Sequence, residues 1–271
     1  MQTKDNAIIQ ERLAEALAMI PQETWQRIVE QEPEWQCLEP FRPKLPKGSF
    51  SVFMMTVGLN AFQLKGKAET AYWAKLGKLL EDYGSISTIK ALAEFLAKFY
   101  QKERLYTCKL ERMARFLNSP LAYRLWEKDP GEISPMTSEI WRELGDTMNQ
   151  ALHEKTICFA MKCLGVSLMM AGEYDFAFQE IPIPVDSRIT KFTKKLGIGI
   201  GENTRKIQEF WQGVLSFLFR SQPEINMIHL DSLLWQIAHY DTDELLDFFE
   251  QSGIPEAGRR LIHLWRFSSR F

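Results

Sequence analysis

Apolar residues recur every three or four positions along almost the whole of this chain, and prolines and glycines cut the pattern into short pieces. The stripes cover 8–19, 50–64, 71–83, 89–100, 105–117, 207–219, 228–238 and 245–249. A step of 3.6 residues places such positions on one side of a helix, whereas a strand needs strict alternation. Breaks fall at Pro21, Pro33, 38–48, Pro120, 130–135, Gly172, 197–201, Pro223 and Pro255, and no repeat of fixed period is present. The spacing predicts an all-α protein of about a dozen short to medium helices. The length of 271 residues suffices for one large core or for two smaller ones sharing a cleft. The best linker candidate is 38–48 and the next is 197–201.

Several classes of protein are excluded early. Cys37, Cys108, Cys158 and Cys163 form no CxxC pair, and the four histidines include no HExxH, so neither a disulfide framework nor a zinc site is expected. The apolar run 157–171 contains Lys162 and is short for a bilayer span, and the N-terminus reads as an amphipathic helix rather than a signal peptide. A soluble cytoplasmic protein without a targeting signal is expected. The net charge of −2 argues against a wholesale polyanion binder, but the charges are segregated. Lys98, Lys102, Arg104, Lys109, Arg112, Arg115, Arg124 and Lys128 face only Glu103, Glu111 and Glu127 in sequence. Between Arg188 and Lys206 the sole acid is Glu202, and Arg259, Arg260, Arg266 and Arg270 follow in an acid-free tail. Acids gather instead in 23–39 and 241–250. Such segregation either makes one positive face for phosphates or dresses ordinary solvated helices.

Two segments carry chemistry. Lys155 opens the apolar helix 156–171, where partial desolvation and the positive end of the helix dipole both disfavour a cation. A neutral amine is a nucleophile; an ammonium is not. The alternative is a plain surface lysine on a first turn. Lys162, two turns on, is a rival nucleophile or a group that snorkels toward a phosphate. Asp186 ends the segment Ile181-Pro182-Ile183-Pro184-Val185-Asp186, which reads as an extended strand locked by its prolines, and it stands before a helix it would cap. Capping and catalysis are compatible for one carboxylate.

Three motifs in order carry a resemblance. Residues 154–162 (EKTICFAMK), 181–189 (IPIPVDSRI) and 229–235 (HLDSLLW) resemble the archaeal 8-oxoguanine DNA glycosylase/AP lyase family, a divergent branch of the helix-hairpin-helix DNA glycosylases. Weaker similarity around 30–35 and 67–78 extends it over most of the chain. The resemblance implies two helical subdomains flanking an active-site cleft. We expect 1–66 with 197–271 in one, and 67–196, with the hairpin and the lysine helix, in the other.

It also implies roles by position. Lys155 matches the Schiff-base lysine that attacks C1′, and Asp186 the catalytic aspartate. Phe159 and Trp235 match stacking walls for a flipped base, Asp231 a carboxylate reading its Watson–Crick edge, and Trp73 a further pocket residue. Without the resemblance, the aromatic residues would be read as core. No metal or cofactor is implied, and no cysteine beyond Cys163 is present to hold the iron–sulfur cluster of some cousins. The implied partner is damaged double-stranded DNA, with single strands also open, bound by a nucleoid-associated monomer that needs no membrane.

Two departures stand out. Glu34 before Trp35 takes the place of the family's glutamine selector, with Gln31 or Gln36 serving if the register slips. Oxidation of guanine turns N7 into a donor, which a carboxylate accepts. The hairpin segment 138–154 holds only Gly145 and no proline, so the residues gripping DNA stay unassigned, with Arg188, Lys191, Lys194 and Lys195 as backbone-contact candidates. A glycosylase for another damaged purine, or a non-catalytic damaged-DNA-binding protein, remain the alternative readings.

Overall fold

The protein is described by a computed structural model that covers residues 2–198 and 200–268. Gly199 of the second linker candidate and Arg270 of the basic tail lie outside the described residues, as does the side chain of Arg266. The described residues contain α-helices and short turns of other helix types and no strand. In chain order the helices are α1 (Gln2–Leu17), α2 (Gln22–Glu30), α3 (Pro33–Leu38), α4 (Ser49–Leu59), α5 (Trp73–Glu81), α6 (Ile89–Tyr100), α7 (Tyr106–Leu117) and α8 (Pro120–Glu127). They continue as α9 (Pro130–Ile133), α10 (Thr137–Met148), α11 (Lys155–Met170), α12 (Ser187–Lys195), α13 (Thr204–Leu218), α14 (Met227–Ile237), α15 (Thr242–Gln251) and α16 (Pro255–Ser268).

Sixteen α-helices among the described residues exceed the expected dozen, because several prolines read as breaks are starts. Pro33, Pro120, Pro130 and Pro255 each open a helix, where the missing N–H costs nothing and φ is already helical. The stripe 50–64 ends early, at Leu59, with Asn60 as C-cap. Residues 182–186 pair with no strand. Two prolines remove the donors a ladder needs, and Gln208 Nε2 donates to the Ile183 carbonyl at 3.1 Å instead.

The chain divides into two compact units, Met1–Val29 with Pro182–Phe271, and Glu30–Ile181. This moves the first boundary from 66 to 29 and the second from 196 to 181. The physical reason is α4, buried along its whole length, which packs on α11. A Cβ on Gly58 of α4 would lie 2.9 Å from Cys163 Sγ and 3.0 Å from Ala160 Cα of α11, so glycine lets the two helices pack closely there. No free linker occupies 38–48 either. Residues 39–44 form a 3₁₀ turn, and Lys44 Nζ donates to the carbonyls of Leu80, Glu81 and Tyr83 at 2.6, 3.1 and 2.7 Å. A cation there satisfies the orphan acceptors at the end of α5. Residues 197–201 lie within the other unit rather than between units.

In the Glu30–Ile181 unit the basic run 98–128 is largely consumed internally. Lys109 is fully buried, 3.9 Å from Glu103, with its ammonium over the rings of Phe62 and Tyr72, and burial pulls its pKa down. Arg112 Nη2 donates to Leu59 O, Gln150 Oε1 and Thr156 Oγ1, and Arg115 Nη1 to Met148 O. Arg124 pairs with Glu139 and Glu143, and Lys128 with Glu132. This run is scaffolding more than a phosphate-binding face.

In the unit containing both termini, α1 packs on α13 and α16. Trp25 Nε1 donates to Gln222 Oε1 at 3.2 Å, and Gln236 Nε2 to Ile28 O at 2.8 Å. No helix among the described residues is long and apolar enough to cross a membrane.

Candidate functional site

Helix α11 begins at Lys155, whose predecessor Glu154 is extended at φ −60° and ψ 136°. The turn before it has a local sequence cause. Asn149, at φ 52°, takes the left-handed place that glycine usually holds after a helix, and Gln150 N–H bonds back to Gly145 O at 3.0 Å. A Cβ on Gly145 would lie 2.6 Å from Leu152 Cδ2 and 3.2 Å from Gln150 O, so a side chain there would make Leu152 move and press on the turn. Trp141 Nε1 donates to Leu152 O at 3.1 Å. Arg112 ties Gln150 to Thr156, the residue after Lys155. Arg112 and Arg115, read from sequence only as members of a basic run, pin this hairpin, and its turn signal is Asn149 rather than glycine or proline.

Lys155 is half-buried, Phe159 lies one turn on, and Lys162 one turn further on the same side of α11. Phe159 is half-buried, and its ring centroid lies 6.4 Å from that of Trp73, which is only 2% exposed. Lys162 is almost wholly buried, with Nζ 3.0 Å from Glu32 Oε1, 3.8 Å from Glu34 Oε1 and 5.9 Å from the Phe159 centroid. Lys162 therefore belongs to a buried ion cluster rather than reaching toward a phosphate. Of Glu34, Gln31 and Gln36, it is Glu34 that is brought to Lys162. Gln31 and Gln36 are exposed, and Gln36 Nε2 bonds to Glu30 O. Glu32 was not singled out from sequence. It stands at the N-cap of α3, yet its side chain makes no cap bond and turns to Lys162 instead.

The other candidates lie in the unit with both termini. Asp186 caps α12, its Oδ1 accepting from the N–H groups of Arg188 at 2.8 Å and Ile189 at 3.0 Å. Both cap bonds use one oxygen, which fixes the carboxylate plane and leaves Oδ2 for other work. Asp231 (2% exposed) and half-buried Trp235 stand one turn apart on α14. Arg188 was grouped with the backbone-contact candidates, but its guanidinium carbon lies 4.3 Å from the Trp235 centroid. Lys194 pairs with Glu202, Lys195 Nζ donates to Tyr240 O at 3.1 Å, and Lys191 stands exposed. Among the described residues no three His, Cys, Asp or Glu side chains are grouped to hold a metal ion.

Helix α14 also carries a buried titrating group. His229 Nδ1 accepts from Asn226 N–H at 3.3 Å, its ring meets Trp25 edge-on, and burial lowers its pKa to about 4. A depressed histidine pKa means the unfolded chain takes the proton first. Stability is then full above the ordinary histidine pKa of about 6.5 and falls as pH drops toward 4. Between pH 7.5 and 4.5 the loss from this one group is on the order of 2–3 kcal/mol. Denaturant titrations at the two pH values measure it, and His229→Asn should flatten the difference. An unchanged difference in the variant would assign the acid sensitivity elsewhere.

Comparison with known proteins adds an independent line. A family profile described as AGOG, N-glycosylase/DNA lyase, matches residues 14–256. The N-glycosylase/DNA lyase of Methanopyrus kandleri is 24% identical over 203 residues, covering 74% of this chain and 78% of that protein. The enzyme of the same name from Nanoarchaeum equitans is 26% identical over 180 residues, covering 66% and 70%. Among solved structures, the 8-oxoguanosine complex of the 8-oxoguanine DNA glycosylase Pa-AGOG from Pyrobaculum aerophilum shares the fold. It matches with a TM-score of 0.70 at 20% identity, covering 95% of each chain.

Proposed function

Since the chain belongs to the AGOG family of N-glycosylase/DNA lyases, and is therefore an enzyme acting on DNA, we propose that it excises 8-oxoguanine and then cuts the strand through a Schiff base on Lys155. The observation that carries this reading is the face of α11, where a half-buried lysine at the first helical position is followed one turn later by half-buried Phe159. The Pyrobaculum aerophilum enzyme is an 8-oxoguanine DNA glycosylase, and this supports the choice of lesion.

In this mechanism the Lys155 amine attacks C1′ of the flipped nucleotide. The C1′–N9 bond breaks, the base leaves with the electron pair and takes up a proton, and the amine gives up its own. Ring opening gives the imine. Loss of a C2′ proton then expels the 3′-phosphate by β-elimination. Asp186, with Oδ1 engaged by two amides, offers Oδ2 to offset the positive charge that develops on the sugar. Phe159 and Trp235 each offer a flat face on which a base stacks, and Trp73 packs near Phe159 to hold it. Asp231 accepts from the Watson–Crick edge. Glu34 accepts from the N7–H that only the oxidised purine carries.

The reading is tested by borohydride trapping over a panel of damaged duplexes. A covalent product with 8-oxoguanine duplex, and little with alkylated purines, is the expected result. Strong trapping on an alkylated purine and none on 8-oxoguanine would overturn the choice of lesion. Glu34→Gln should retain or improve excision, because glutamine still accepts through Oε1 and Lys162 keeps Glu32 at 3.0 Å. Single-turnover excision within about threefold of the parent or faster is expected, since an amide oxygen takes over from a carboxylate oxygen as acceptor at the same place. Complete loss of excision in a stably folded Glu34→Gln protein refutes Glu34 as the acceptor.

A further inference from the structure

We propose that Arg188 is a specificity-determining residue that backs Trp235 and favours an electron-rich, oxidised purine, and that it is not a DNA phosphate contact. This rests on the reading above, in which Trp235 stacks the flipped base. The Arg188 guanidinium carbon lies 4.3 Å from the Trp235 ring centroid, close enough for direct contact between the guanidinium and the indole face. Trp235 is half-buried and Arg188 half-buried, so this contact is sheltered rather than a loose surface pairing.

The local sequence anchors the backbone from which the guanidinium reaches Trp235. Arg188 is the second residue of α12, and its own N–H is bonded to Asp186 Oδ1 at 2.8 Å. The first turn of α12 therefore carries both the candidate catalytic carboxylate and the cation on the indole, with one residue between them. A shift of either would move the other. This links the position of Asp186 to the wall on which the base rests.

The chemistry follows from ring electrostatics. A planar guanidinium over one face of an indole leaves base stacking to the other face and draws π density toward itself. An indole depleted in this way attracts an electron-rich ring more strongly than an ordinary one does. Oxidation at C8 makes guanine more electron-rich and adds a polar carbonyl, so the lesion gains more than the normal base. Discrimination then arises from the stack as well as from hydrogen bonds to the base edge. A charged side chain spent in this way has less to offer a phosphate.

The test uses Arg188→Met, which keeps an apolar stem, and Arg188→Lys, which keeps the charge but loses the plane. Affinity for lesion-bearing and undamaged duplex is measured across a salt series, together with single-turnover excision of 8-oxoguanine. Both variants should lower the preference for lesion over undamaged duplex by about tenfold. The salt slope on undamaged duplex should stay unchanged. The proposal is overturned if the salt slope drops by about one and both duplexes weaken equally. It is equally overturned if Lys restores the parent behaviour, or if neither variant alters lesion preference. Failure of the underlying reading is separately visible: Trp235→Leu at parental excision rates would show that no base stacks on Trp235, whatever the arginine variants do.

Discussion

Lys155→Gln should abolish the borohydride cross-link to duplex containing 8-oxoguanine and leave the protein folded. Glutamine matches lysine in helix propensity and nearly in length, and the side chain is half-buried at the first helical position, where no intrahelical N–H bond is at stake. The stability change should stay within about 0.5 kcal/mol, as for substitutions away from core or network features. Excision coupled to strand cleavage should fall about a thousandfold or more, since removal of a covalent nucleophile takes away the whole pathway. The rival is Lys162, seven residues on. Its amine lies 3.0 Å from Glu32 and is almost wholly buried, which commits it to the ion cluster. If Lys155→Gln still cross-links and Lys162→Gln does not, the nucleophile has been assigned to the wrong lysine.

Lys162→Met should be the most destabilising single change in the Glu30–Ile181 unit outside its apolar core. It leaves Glu32 and Glu34, each about 2% exposed, without the ammonium they share. Removing one partner of a buried ion cluster costs about 3–5 kcal/mol, because the remaining charges lose their compensation but not their desolvation. For a chain of this size that corresponds to a fall in Tm of about 10 °C. Two controls separate this from loss of packing. Glu32→Gln in the Lys162→Met background should recover part of the loss, since one uncompensated charge is then gone. Lowering the pH should also narrow the gap between parent and variant, because a protonated carboxyl is cheaper to bury than a carboxylate. A cost below about 1 kcal/mol at neutral pH would show that the cluster is not held by charge.

Much of the local structure was legible. The three- and four-residue steps marked α6 to its residues, 89–100, and most other stripes to within a few positions. One cap was legible: Asp186 before α12 takes two amide hydrogens, as its place before Ser187 suggested. Prolines were harder, since the same residue ends one helix or opens the next, and Pro33, Pro120, Pro130 and Pro255 all open one. The segment 181–185 misled for a related reason. Its β-branched residues favour extended backbone, but its prolines deny the hydrogen bonds that would make it a strand.

Charge was the least legible property. The basic run 98–128 looked like a face for phosphates, yet Lys109, Arg112, Arg115 and Arg124 are engaged within their own unit. A run of lysines and arginines has the same appearance whether its partners are water, phosphate or a carboxylate far along the chain. Arg188 shows the same ambiguity: sequence counted it as one more positive charge, and only its 4.3 Å approach to Trp235 gives it another part.

The sequence by itself determined that the chain is helical and where about half of its helices begin, and by resemblance it offered Lys155 and Asp186 as candidates for a catalytic pair. Those properties depend on neighbours within one or two turns, and the spacing of side chains along a helix is fixed by backbone geometry. Only the tertiary structure decided which helices form each compact unit, that Glu32 and Glu34 converge on Lys162, and that Arg188 covers Trp235. Glu32 and Lys162 are 130 residues apart in sequence, and no local spacing links them. They meet because α3 and α11 are packed within one core, where an unpaired charge is too costly to leave.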